Sequence, residues 1–422
     1  MNPVYILYAI PAFLILIGIE IFIGWLKKQK YYRFNDTITN LNIGIGSRAT
    51  NIFLQIILLG AYILVYDNFA FFNQSDFLSA GWSFVFCLIV YDFLFYWAHR
   101  WGHEINFFWG AHVVHHQSEE YNLSVALRQS WIHNALAFFI FLPMPLLGFD
   151  PMIFAGAAIA DTLYQFWIHT KTVGKLPGWI EFWLNTPSHH RVHHGVNPKY
   201  IDKNYAGVFI IWDKMFGTFQ VEEEEPTYGI SKPLNSWNPV WANTHYYVEM
   251  AEKMVSMKHW KDKLKMIVAR PGWLPEEMGG FQGVKEINPD FKKYDASTSV
   301  PMSIYILLNF SLIILGIVAY MARFEEISTF YKIAFFIAII LSTMICGAIF
   351  ENKKWVILAE YARLILLLGC LNSFYYFWHM DWFRIMLVAS SLAFVLFVLW
   401  FTAALIMRGD IEKLFSNFRS AN

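Results

Sequence analysis

Charge and cysteine are what this sequence is short of. Charged residues make up 15% of the 422, and 32 basic side chains are matched by 32 acidic ones. A net charge of zero leaves no electrostatic footprint for nucleic acid. There are three cysteines, Cys87, Cys346 and Cys370, each inside an apolar run and none in a CxxC pair. That excludes a disulfide frame and a thiolate metal site, and they read as small buried hydrophobes. No basic segment precedes the first apolar run, so that run reads as a retained signal-anchor helix and not a cleaved signal peptide. Internal repeats, low-complexity tracts and heptads are missing, which excludes solenoids and coiled coils. The zinc-protease pattern H-E-x-x-H is missing too, because His103-Glu104 is followed by Ile105, Asn106 and Phe107.

What is present is apolar surface. Hydrophobic residues are 57% of the chain and aromatics 19%, far above a soluble average. The sequence predicts an all-α integral membrane protein with about nine transmembrane or re-entrant helices and a cytoplasmic histidine-rich lobe. A span needs about 20 apolar residues. Val4 to Leu26, Asn51 to Tyr66 and Gly81 to Ala98 supply three. Trp131 to Phe149 and Pro151 to Ile168 form a hairpin around the turn residues GFDP. Met302 to Met321, Ile333 to Phe350, Trp355 to Phe377 and Ile385 to Met407 supply four more. Lys27 and Lys28 place the end of the first span in the cytoplasm, and counting crossings puts His99, Lys353, Lys354 and the basic tail there as well. The expected organisation is N-terminal spans over 1–80, a di-metal catalytic domain over 81–235, a cytoplasmic segment over 236–300 and a four-helix membrane region over 301–422.

The chain is organised around Tyr91 to His116, where an apolar span runs into His99, His103, His112, His115 and His116. A third cluster follows in NTPSHHRVHHG, with His189, His190, His193 and His194. Residues three or four apart share a helix face, so each cluster offers two or three imidazoles to one point. Neutral imidazole suits iron, zinc, copper or nickel. Eight such groups exceed one metal's needs, so two metals with open positions are expected. His169, at the end of the apolar arm YQFWIHT, is the ninth candidate, and His189 points elsewhere on its helix. Glu104 is a candidate bridging or supporting carboxylate. Asp92 lies two turns before His99 and is a candidate for orienting a ligand imidazole, since an acid inside a span is functional by default. His133, His245, His259 and His379 read as ordinary residues. Zinc hydrolases use about three protein ligands per metal, so a tandem iron site activating dioxygen on a lipid substrate fits better.

HxxxH, HxxHH and the second HxxHH resemble the fatty-acid hydroxylase and sterol desaturase superfamily. HEINFFWGAHVVHHQSEEYNLSVALRQS, YQFWIHT and LNTPSHHRVHHGVNPKYIDKNYAGVFIIWDKMFGTF narrow this to a resemblance to the alkylglycerol monooxygenase family over about residues 90 to 235. The resemblance implies a di-iron centre held by His99, His103, His112, His115, His116, His190, His193 and His194, with His169 matching a further superfamily histidine. It implies tetrahydrobiopterin as electron donor, dioxygen as co-substrate and a bilayer ether lipid as substrate, with a redox protein as the other possible donor. Glu104 matches an acidic residue placed after the first histidine box of that family. Gln165 stands where fatty-acid hydroxylases carry another histidine, which argues against a simple fatty-acid hydroxylase. The alternatives are a di-iron hydroxylase or desaturase of another lipid and, in a different class, a metal transporter or haem-binding membrane protein. A transporter should carry its ligands mid-span, whereas these lie at helix ends.

Overall fold

The computed structural model describes residues 4–72, 81–284, 292–296, 298–378 and 380–408. His379 and the basic residues after Arg408 lie outside the described residues. Among those described, helices account for the regular structure and β-pairing is limited to two isolated bridges. Among the described residues, six helices are long and apolar enough to cross a membrane. Together with the relatives reported below, they make this an integral, multi-pass membrane protein.

The chain divides into two compact units. The first comprises residues 1–235 and 240–294. It holds α1 (Val4–Leu26), α2 (Phe34–Phe69), α3 (Ser83–Glu104), α4 (Asn106–His116), α5 (Pro151–Trp167), α6 (Pro187–His193) and α7 (Ile211–Phe216). The helices α8 (Pro239–Ser256) and α9 (Trp260–Val268) follow. The α2 helix is continuous over 36 residues, so the expected second span is only its C-terminal half. The segment expected as one arm over 131–149 is instead three short pieces, His133–Ala137, Phe138–Phe141 and Pro143–Leu146. Pro143 and Pro145 explain this, because proline lacks the helical N–H and clashes with the preceding turn. The break lets Phe149 and Met144 join Tyr62, Cys87 and Ala157 in one buried cluster. The Tyr62 hydroxyl donates to the Phe149 carbonyl at 2.8 Å.

Close packing of α2 on the segment after α4 depends on Gly44, which meets backbone, and on Gly46, which meets the Trp131 ring. A Cβ on Gly44 would stand 2.3 Å from the Leu127 carbonyl oxygen. Backbone cannot yield cheaply there, so Gly44→Ala should cost about 1–3 kcal/mol, the usual overpacking range. Gly60 on the same helix meets nothing within 4 Å, so Gly60→Ala should be neutral or slightly stabilising. Thermal unfolding of the two variants in detergent checks this, and equal midpoints would refute it.

The second unit comprises residues 236–239 and 295–422. Its helices are α10 (Val300–Arg323), α11 (Thr329–Phe350), α12 (Val356–Trp378) and α13 (Met380–Arg408). A buried ion pair joins Arg363 to Glu360 at 2.5 Å. Arg363 also donates to Asn309 Oδ1 at 2.6 Å and Ser342 Oγ at 3.1 Å, and the Tyr305 hydroxyl donates to Glu360. Three helices are thereby tied by one network whose polar groups satisfy each other, the condition under which charge is tolerated in such helices.

Candidate metal centre

Helix geometry delivers the imidazoles. His99 and His103 share a face on the last turn and a half of α3. His112, His115 and His116 end α4. His169 follows α5, and His190, His193 and His194 lie on α6 and its C-cap. Pro187 occupies the first turn of α6, where its missing N–H costs nothing.

The nine histidines meet as two groups. His99, His103, His112, His116 and His193 form one, and His115, His169, His190 and His194 the other. Within each group the candidate ligand nitrogens all lie within 4.8 Å of one another. All nine are buried. Burial above all, reinforced in most cases by the neighbouring rings, holds His112, His116, His190, His193 and His194 well below the usual imidazole range. Burial takes His169 down to about 4. At neutral pH these six are lone-pair donors and not cations.

Backbone carbonyls fix four of the rings. His99 Nδ1 donates to the Tyr205 carbonyl at 2.7 Å, His115 Nδ1 to Arg128 at 3.1 Å, His169 Nδ1 to Gln165 at 2.7 Å and His193 Nδ1 to Lys203 at 2.9 Å. A carbonyl only accepts, so the proton is on Nδ1 and Nε2 presents a lone pair. His115 Nε2 nevertheless faces His169 Nε2 at 3.2 Å. Two lone pairs at that distance repel unless a cation stands between them. Ligands about 2.1 Å from one metal and at right angles would be roughly 3 Å apart. His99 to His112, His112 to His116 and His169 to His190 show the same spacing, at 3.0, 3.1 and 3.0 Å between Nε2 atoms. His103, His193 and His194 each bury an Nε2 with no hydrogen-bond partner. The donor set fits a pair of metal ions.

Glu104 joins neither group; it pairs with Arg100 at 3.2 Å and Arg270 at 3.4 Å. Asp92 accepts from the Val208 and Phe209 amides and from Trp212 Nε1, at 2.7, 3.0 and 2.8 Å. It therefore grips the 208–212 turn and not an imidazole. His189 packs its ring against Phe219 and lies 3.9 Å from Glu181, outside both groups. His133, read as ordinary, sits beside the first group, its ring centroid 5.5 Å from that of His112.

Sequence reasoning missed the residues that hold the imidazoles. Asp213 accepts the amides of Tyr205 and Ala206, both at 2.8 Å, and the Thr218 hydroxyl at 2.6 Å. It thereby shapes the loop whose Tyr205 carbonyl orients His99. Burial raises its carboxyl to about 6. Arg128 orients His115 through its carbonyl while its guanidinium donates to the Val114 carbonyl at 2.6 Å, Asn40 Oδ1 at 2.9 Å and Gln117 Oε1 at 2.5 Å. Asp202, on a left-handed backbone at φ 58°, comes 3.6 Å from His103 Nδ1. Nothing in the spacing of these residues marks them, since their partners lie in other elements.

Comparison with known proteins agrees with this arrangement. The fatty acid hydroxylase family model matches residues 84–218, which contain all nine imidazoles. Alkylglycerol monooxygenase of Danio rerio is 40% identical over 74% of this chain and 70% of its own length. The Homo sapiens protein of that name is 34% identical over 87% and 82%, and the Caenorhabditis elegans one 33% over 86% and 75%. No solved structure matches. With the paired imidazole groups and relatives of this length and identity, the chain belongs to the alkylglycerol monooxygenase family.

Proposed function

We infer that the chain is a membrane di-iron monooxygenase that opens alkylglycerol ether lipids. The observation that carries the reading is the pair of buried groups of five and four imidazoles, with the Nε2 lone pairs of His115 and His169 facing each other at 3.2 Å. The names of the relatives supply the substrate class. Nine imidazoles and no carboxylate in either group suit iron with positions left for dioxygen.

Two irons held by His99, His103, His112, His116 and His193 and by His115, His169, His190 and His194 would supply dioxygen activation. The protein's own part is to fix Nε2 lone pairs through backbone carbonyls, to exclude water by burial, and to orient one methylene of an alkyl chain. One oxygen atom enters the C–H bond beside the ether oxygen. The other leaves as water, with two electrons and two protons from an external donor. The hemiacetal then breaks its C–O bond to give a fatty aldehyde and the glycerol hydroxyl. Tetrahydrobiopterin is the donor this reading assigns, and a redox protein is the other donor class.

Charge supports a cytoplasmic position for the site. Lys27, Lys28 and Lys30 follow α1, the signature of a cytoplasmic boundary. Arg33 then binds Glu119 at 3.0 Å and Glu120 at 2.6 Å, just beyond His116. The basic boundary and the imidazole groups therefore share a side.

Purified protein should contain about two irons per chain and release aldehyde from an alkylglycerol when given tetrahydrobiopterin. Aldehyde release only with a ferredoxin-type donor would correct the donor. Conversion of sterols alone would overturn the substrate, and metal-free protein after reconstitution would overturn the reading.

A further inference from the structure

Asp161 on α5 is 1% exposed and belongs to neither imidazole group. Its Oδ2 accepts from Gln165 Nε2 at 2.5 Å. Its Oδ1 is buried, with no N–H or O–H of another residue reaching it. What it faces is a second acid, the carboxyl of Asp92. Their Oδ1 atoms flank one glycine, since a Cβ on Gly207 would stand 2.7 Å from that of Asp92 and 2.8 Å from that of Asp161.

Two ionised carboxylates have no hydrogen with which to bond. A single proton between them satisfies both and removes the like-charge repulsion. Asp92 already receives three donors, from Val208, Phe209 and Trp212. Those donors suit an ionised Asp92, which leaves the proton on Asp161 Oδ1.

The neutral acid sits at a junction. Toward α3 it meets Asp92, which grips the turn following Tyr205, the residue whose carbonyl orients His99. Along α5 it meets Gln165, whose own carbonyl orients His169. His99 belongs to the group of five and His169 to the group of four. One shared proton therefore fastens the supports of both groups.

We propose that Asp161 is held protonated and is a positioning residue, donating to Asp92 and accepting from Gln165 so that the two imidazole groups keep a fixed relation. This rests on the reading of those groups as the metal centre. The glutamine at 165 acquires a role from it. An amide donates to Asp161 and leaves the backbone carbonyl free for His169.

The test uses the full-length protein in detergent, with metal content, aldehyde release and infrared spectra of chains carrying ¹³C-labelled aspartate. Wild type should show the C=O stretch of a buried, protonated aspartic acid, and Asp161→Asn should lack it. Asn offers the same donor and acceptor, so Asp161→Asn should keep both metals and activity within about threefold. Asp161→Leu should lose at least about tenfold in activity, the range for removing supports of metal ligands, together with metal. Gln165→Leu should keep the acid band but lose metal, which decides the matter even if Asp161→Leu fails to fold. Absence of the band from wild type, equal damage from Asn and Leu, or wild-type metal and activity in Asp161→Leu would each overturn the proposal. A wild type that shows the band yet binds no metal would instead overturn the metal reading while leaving the protonated acid standing.

Discussion

His112→Ala is expected to abolish aldehyde release and remove metal from the group of five imidazoles, whereas His189→Ala is expected to leave both metals in place. His112 Nε2 lies 3.0 Å from that of His99 and 3.1 Å from that of His116, so its loss opens the middle of the group. Removing an outer-shell partner usually costs 10- to 100-fold, so losing a ligand should cost more than about 100-fold. His169→Ala should act on the other group, because His169 Nε2 lies between those of His115 and His190, at 3.2 and 3.0 Å. His189 is equally buried and adjacent to His190, but its ring faces Phe219. Metal analysis and turnover of the three variants check the assignment. Full metal and activity in His112→Ala would defeat it, as would metal loss in His189→Ala.

Arg128→Met is expected to be the most damaging change away from the imidazoles. Arg128 is 2% exposed, and burial lowers its guanidinium only to about 10, so it stays charged at neutral pH. Methionine fills similar space but leaves the Val114 carbonyl, Asn40 Oδ1 and Gln117 Oε1 without their donor. It also leaves the buried Asp36 without the Arg128 charge that faces it. Breaking such a buried network typically costs about 3–5 kcal/mol. Arg128→Lys should recover little, because an ammonium cannot reproduce the fork that reaches three acceptors. The melting temperature in detergent should fall by several degrees, and metal should fall with it because the Arg128 carbonyl orients His115. An unchanged melt with Arg128→Met would show that α2 and α4 hold together without it.

The positions of Glu104 and Asp92 show where reading along the chain stopped being sufficient. Both lie close in sequence to His103 and His99. Glu104 follows His103 by one residue, which turns it about 100° around the helix, toward Arg100 and Arg270. Asp92 does share a face with His99, but its carboxyl is taken by a turn more than a hundred residues away. Asp161 carries no local signal within an apolar arm, because its acid partner lies on another helix.

By itself the sequence determined the number and type of the candidate ligands, the membrane character and the family. Helical periodicity acts over one turn, so HxxxH and HxxHH already place imidazoles side by side, and long apolar runs have few alternatives to a membrane helix. The PMP at 143–145 also carried its own helix break. Only the tertiary structure decided the division into five and four. His112 and His116, four apart, stay in one group, while His115, three from His112, turns to the other. His193 likewise parts from His190 and His194. Which side of a helix meets which neighbour depends on how α3, α4, α5 and α6 pack. The carbonyls, Arg128, Asp213 and the Asp92–Asp161 pair that hold the rings act across that packing, where no local spacing rule reaches.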